Sequence, residues 1–270
     1  MESALIYFGL VVIAVLFLFP VLFTVQASFK NTIELTTLPP KIFFAPTLRH
    51  YWITIVQNAT LVYYINSLVV TVASVIIVVF LGSLAAFGLA AFQYRSRDSL
   101  SFTILSMRML PRICVVLPFF LLIVKLGLLN TKTALIIVYT VFNLPFTIYI
   151  LEGFFGEVPK ELRDAALIDG CNYLEVFRRV YLPLSGPGLV ATASFCFIFT
   201  WNEFLFALVL TSNERAMTAP VEIASVVSLY GVDWGDLSAM ATIAALPVVL
   251  FLFVVQRYMV RGLTMGALKG

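Results

Sequence analysis

Long apolar runs separated by short polar stretches dominate the chain, and the period within them is helical or absent rather than alternating. Crossing about 30 Å of hydrocarbon at 1.5 Å per residue takes about 20 mainly apolar residues. Six segments meet that requirement: 5–27, 62–92, 100–124, 133–152, 184–211 and 237–256. Lipid offers backbone N–H and C=O groups no partners, so each segment is predicted as a helix. A membrane β-barrel would need alternating strands of about ten residues. The stretch Val69 to Leu81 is almost continuously apolar, which excludes that pattern. The expected fold class is therefore all-α, a polytopic membrane protein with six transmembrane helices in one domain spanning residues 1–270.

Composition agrees with this pattern. The 270 residues are 61% hydrophobic and 11% charged, which fits no soluble core. A net charge of +3 is spread over the polar stretches, so it reports topology and no nucleic-acid footprint. With both termini inside, the inner loops hold nine basic residues: Arg95, Arg97, Lys160, Arg163, Arg178, Arg179, Arg257, Arg261 and Lys269. The outer loops hold six, Lys30, Lys41, Arg49, Lys125, Lys132 and Arg215, which favours cytoplasmic termini. The first apolar run follows no basic segment and ends without a small-residue cleavage pattern, so it is expected to be an uncleaved span. Outer loops 28–61 and 212–236 carry Pro39, Pro40, Pro46, Tyr51 and Trp52, which suits either a surface facing a partner or an interfacial aromatic belt.

The polar interruption at 157–183 is patterned. Pro159 suits a first helical turn, Glu161 suits the positive end of the helix dipole, and Gly170 supplies a left-handed stop after Asp169. Asn172 with Glu175 three residues later forms a capping-box pattern for a second helix, with Arg178 and Arg179 in its last turns and Leu182-Pro183 ending it. Ala165 and Ala166 place small side chains at mid-helix, where a partner could approach closely. An amphipathic helix lying on the membrane interface fits the same pattern.

The sequence Glu161-Leu-Arg-Asp-Ala-Ala-Leu-Ile-Asp-Gly170, with Leu182-Pro183 a dozen residues further on, resembles the "EAA" coupling loop of ABC importer permeases. Asp164 stands where that family has glutamate, which keeps the charge and shortens its reach. Arg108-Met-Leu-Pro111, Gly127-Leu-Leu-Asn-Thr131, Trp201-Asn-Glu-Phe204 and Gln256 to Thr264 extend the resemblance across almost the whole chain. They are closest to the smaller permease subunit of the maltose-type carbohydrate importers. The resemblance implies a type I importer permease fold in a prokaryotic inner membrane, with membrane lipid as its solvent. The implied partners are a second permease, two ATPase subunits and an extracytoplasmic solute-binding protein, with a carbohydrate as cargo. Glu161, Asp164, Ala165, Ala166, Gly170, Leu182 and Pro183 are the implied ATPase-coupling residues. The C-terminal tail is expected to touch the ATPases as well.

No G-x-x-x-x-G-K-[ST] stretch is present, so ATP and magnesium are assigned to the partner ATPases. Leu184-Ser-Gly-Pro-Gly188 superficially resembles an ATPase signature peptide but opens a membrane span. His50 has no acid or nucleophile near it in sequence, and no metal site or catalytic group is expected. The charges inside apolar runs are Arg108, Arg112 and Glu203. Such charges cost roughly 2.5–3.5 kcal/mol on insertion scales and usually face a bundle interior. Arg108 and Arg112 are four residues apart and are expected on one face of the third span, where they could line a polar pathway or meet an acid such as Glu203 on the fifth. Arg108 counts to the cytoplasmic half and Glu203 to the outer half, which argues against their direct pairing. For these three, with Asn143, Trp201 and Asn202, two roles stand open: lining a substrate pathway, or serving as caps and packing groups. A self-sufficient secondary transporter is the competing function, and it would need inverted repeats, broken midplane helices or an intramembrane proton carboxylate, for which only Glu203 qualifies.

Overall fold

The computed structural model describes residues 2–37, 39, 41–58, 60–92, 95–226 and 231–267, with side chains between residues 5 and 256. Pro40, the side chains of Arg257 and Arg261, and the Lys269-Gly270 terminus lie outside that set. Among the described residues the regular elements are helices. Four are long and apolar enough to cross a membrane: Leu5–Ser28, Leu61–Ala91, Lys132–Gly156 and Trp234–Gln256. Two further helix pairs, Arg97–Met109 with Arg112–Lys125 and Tyr173–Leu184 with Gly186–Trp201, bend by 91° and 79° and bring the count to six if each is one broken span.

The third span is where the structure departs most from the expected continuous helix. Leu110 is extended (φ −67°, ψ 121°) because the ring of Pro111 excludes the α region for the residue before it. The chain turns there, and Arg112 opens a new helix. Arg108 and Arg112 therefore do not share a helical face, since the break puts them on two different helices. The fifth segment is also discontinuous. It starts at Gly186 after a break at Ser185, stops at Trp201, and resumes as Leu205–Leu210.

The chain divides into two compact units, residues 1–64 with 219–249 and residues 65–218 with 250–270. In the larger unit the fourth span is the centre, with Leu135, Val138 and Leu151 fully buried. In the smaller unit polar contacts cinch the loop after the first span. Lys30 Nζ donates to the Lys41 carbonyl at 2.8 Å, and the Ser28 and Tyr51 hydroxyls meet at 2.7 Å. The first span itself has none of its apolar window buried.

His50, expected to be without an acid, is buried against one in this unit. Its Nε2 lies 3.0 Å from the Lys30 carbonyl and its Nδ1 lies 2.7 Å from Asp236 Oδ1. Carbonyl and carboxylate are both acceptors, so each ring nitrogen faces an acceptor. His50, Asp233 and Asp236 have potential ligand atoms within 4.8 Å of one another. Both ring nitrogens, however, are engaged with the Lys30 carbonyl and Asp236, and Asp233 Oδ1 already accepts from Gly235 N and Asp236 N at the start of the last helix. Gly235 is required here, because a Cβ would fall 2.2 Å from the His50 ring.

Candidate functional site

The 157–183 loop forms two helices hinged at a glycine. The first, Lys160–Ile168, begins after Pro159, which takes the capping position one residue earlier than expected (φ −56°, ψ 131°). Gly170 has φ +89°, the left-handed conformation that a side chain disfavours. The capping box is present in both directions: Glu175 N donates to Asn172 Oδ1 at 3.0 Å, and Asn172 N donates to Glu175 Oε2 at 2.9 Å. Pro183 does not end the second helix. Tyr173–Val176 continues through a π-helical turn, Phe177–Tyr181, and a last turn, Leu182–Leu184. A π turn widens the ring of backbone bonds just where Pro183 lacks an N–H and crowds the preceding turn.

The first loop helix has two distinct faces. Glu161, Asp164, Ala165 and Ile168, at spacings i, i+3, i+4 and i+7, are all exposed, and Ile168 is 85% exposed. Arg163, Ala166 and Leu167 turn the other way. The two alanines thus separate: Ala165 faces outward, while Ala166 packs with Leu167 and Leu182 against a buried cluster. That cluster joins Phe87 and Ala91 of the second span, Leu151 and Phe155 of the fourth, and Val176, Phe177 and Tyr181 of the loop. The Tyr181 ring meets Phe87 at 4.9 Å and Phe155 at 5.7 Å, both edge-on. Aromatic pairs of this kind contribute about 0.5–1.5 kcal/mol each beyond buried area.

Electrostatics add one contact that the sequence did not suggest. Arg163 Nη1 donates to the carbonyl of Ala91, the last residue of the second span, at 2.7 Å. The same guanidinium meets Asp164 Oδ1 at 2.8 Å. That hydrogen bond raises the pKa of the Arg163 guanidinium above its ordinary value. Arg163 and Ala91 are 72 residues apart, so only the adjacency of Arg163 and Asp164 was visible in the chain.

The intramembrane residues meet at the breaks in the third and fifth spans. Glu203 is buried, and its carboxylate accepts from Phe206 N at 3.1 Å and Ala207 N at 3.4 Å, closing the start of Leu205–Leu210. Arg112 Nη1 reaches Glu203 Oε1 at 3.5 Å. Arg108 does not pair with Glu203; its guanidinium lies over the Phe146 and Phe199 rings at 4.5 and 4.7 Å. Asn143 is buried, donating to the Tyr139 carbonyl at 2.9 Å and to Thr200 Oγ1 at 3.1 Å, while its own carbonyl oxygen has no partner among the described residues. Trp201 is buried with its ring parallel to Phe197, and Phe197 stacks on Phe251 at 4.1 Å. Asn202 is exposed, whereas Arg108, Arg112, Asn143, Trp201 and Glu203 are half-buried or buried. Glu203, Arg112 and Trp201 are thus engaged in capping, pairing and stacking.

Apolar spans, helices interrupted within the membrane, and a polar helix pair riveted to their ends define an integral membrane component of a transport system. The family described as "Binding-protein-dependent transport system inner membrane component" matches residues 78–265, and the chain belongs to it. It is 40% identical to "Probable ABC transporter permease protein y4oR" of Sinorhizobium fredii, over 96% of this chain and 92% of that one. It is 34% identical to "Trehalose/maltose transport system permease protein MalG" of Thermococcus litoralis, over 100% and 98%. A diacetylchitobiose uptake permease, DasC of Streptomyces coelicolor, is 33% identical over 96% and 95%. Among solved structures, a bacterial ABC transporter involved in import of the acidic polysaccharide alginate aligns with a TM-score of 0.79 at 22% identity, covering 95% of this chain and 96% of its counterpart. The fold is that of a type I ABC importer permease.

Proposed function

We propose that this chain is the smaller of two permease subunits in an ATP-driven, binding-protein-dependent importer of a sugar or sugar-like solute, forming half of the pathway. In this reading loop 157–183 lies in the cytoplasm and docks on one of two ATPase subunits, and both termini are cytoplasmic. The observation that carries it is the loop helix itself. Glu161, Asp164, Ala165 and Ile168 are exposed on one face, while the opposite face is fixed to the second and fourth spans. A helix held this way passes a push on its outer face to the spans, as a coupling element must. Leu182 packs on the same cluster, Pro183 lies in the last turn before the fifth span, and Gly170 sets the angle between the two short helices. The sugar class is supported by the trehalose/maltose and diacetylchitobiose relatives. The solute-binding protein as partner is supported by the family description and by an alginate transporter structure containing a periplasmic protein.

The breaks in the third and fifth spans meet one requirement of a secondary transporter, yet Glu203, the carboxylate such a mechanism would use, is committed to Phe206 N, Ala207 N and Arg112. Comparing uptake of candidate disaccharides under ATP depletion and under an uncoupler separates the two readings. Loss on ATP depletion with survival of the uncoupler is expected. The reverse pattern contradicts the proposal.

A further inference from the structure

Asp164 occupies the acidic position of the coupling loop, but its carboxylate is turned toward its own neighbour. Arg163 Nε and Nη2 both lie 2.8 Å from Asp164 Oδ1, and Arg163 Nη1 lies 2.7 Å from the Ala91 carbonyl. The last carbonyls of a helix have no partner within it and carry the negative end of its dipole, so a guanidinium there is doubly favoured. The planar fork of Arg serves both acceptors at once, which a lysine ammonium does with fewer fixed donors. Among the described residues, this is the hydrogen bond that joins Lys160–Ile168 to a membrane span. The remaining attachment is apolar, through Ala166 and Leu167.

We infer that Arg163 is a positioning residue for coupling: it ties the loop helix to the cytoplasmic end of the second span through the Ala91 carbonyl, with Asp164 as the counter-charge that holds the guanidinium in place. The tie makes the loop helix and the second span move as one body, whereas the non-directional packing of Ala166 and Leu167 alone leaves the helix free to rock. Asp164 in turn serves the fold through Oδ1 while its side chain stays 55% exposed. The shorter acid is suited to this double duty because it reaches its sequence neighbour without crossing the docking face.

This inference rests on the coupling role proposed above. The test uses the importer purified whole with its ATPase subunits, the three cysteines Cys114, Cys171 and Cys196 replaced by serine. Spin labels are placed at Ile168→Cys and Phe80→Cys, both exposed positions, and the distance between them is read with and without ATP–vanadate. The parent is expected to keep one narrow distance in both states. Arg163→Ala is expected to keep that distance at rest and to shift or broaden it on trapping, with Arg163→Lys restoring the narrow peak. The exchanged pair Arg163→Asp with Asp164→Arg, which aims a carboxylate at the Ala91 carbonyl, is expected to behave like Arg163→Ala. An unchanged narrow distance in Arg163→Ala overturns the inference, and so does a parent whose distance itself changes on trapping. Equal broadening in Arg163→Ala and Arg163→Lys without nucleotide also overturns it, since that marks simple loss of packing. Absence of any ATPase subunit from the purified parent counts instead against the proposed function.

Discussion

Single residues at this site act through conformation and charge rather than chemistry. Gly170 is held at φ +89°, where a side chain costs roughly 1–2 kcal/mol. Gly170→Val is therefore expected to misaim the first loop helix and lower uptake per ATP hydrolysed while the spans stay inserted. Parallel uptake and hydrolysis measurements on the assembled complex check this, and normal uptake contradicts it. Glu203 is the second such residue. Glu203→Gln removes the charge facing Arg112 and weakens the cap on Phe206 and Ala207, with an expected loss of about 1.5–3 kcal/mol, typical for hydrogen bonds to charged groups. Because Arg112 shares the interaction, Arg112→Ala and Glu203→Gln should be non-additive in a thermal-unfolding cycle. Strict additivity contradicts the pairing. A meeting of Arg112 with Glu203 was open in the chain, but the cap was not: an acid between Asn202 and Phe204 looks the same as a cap or as a pathway group until the helix break around it is seen.

The helices themselves were largely readable, because lipid allows a long apolar run little other than a helix. The ends of the second span came within a residue, and the capping box at Asn172 and Glu175 fell where its spacing put it. The failures cluster at prolines and polar breaks. Pro111 produced a turn inside an apolar run, whereas Pro183, expected to stop a helix, was absorbed by a π turn. Composition distinguishes these outcomes poorly, since each depends on what packs against the turn. Tyr181, in edge contact with Phe87 and Phe155, anchors the π turn that precedes Pro183. Contacts between distant segments were likewise invisible, as with His50, whose acid lies 186 residues further on. For that pair, Gly235→Ala is expected to expel the His50 ring and loosen loop 29–52. Faster limited proteolysis within that loop in the purified protein is the expected readout, and unchanged cleavage contradicts the packing account.

At the scale of the whole molecule, the larger unit combines a buried fourth span with a loop whose outward face is exposed among the described residues. A first span with none of its apolar window buried adds a second surface that lipid or protein must cover. Both features fit a subunit that completes itself by assembly. The most direct test of the central claim is a photo-crosslinking amino acid placed at Ile168, the most exposed large apolar side chain of the loop helix, in native membranes. The account predicts a single major adduct with an ATPase subunit, and adducts with lipid alone would contradict it.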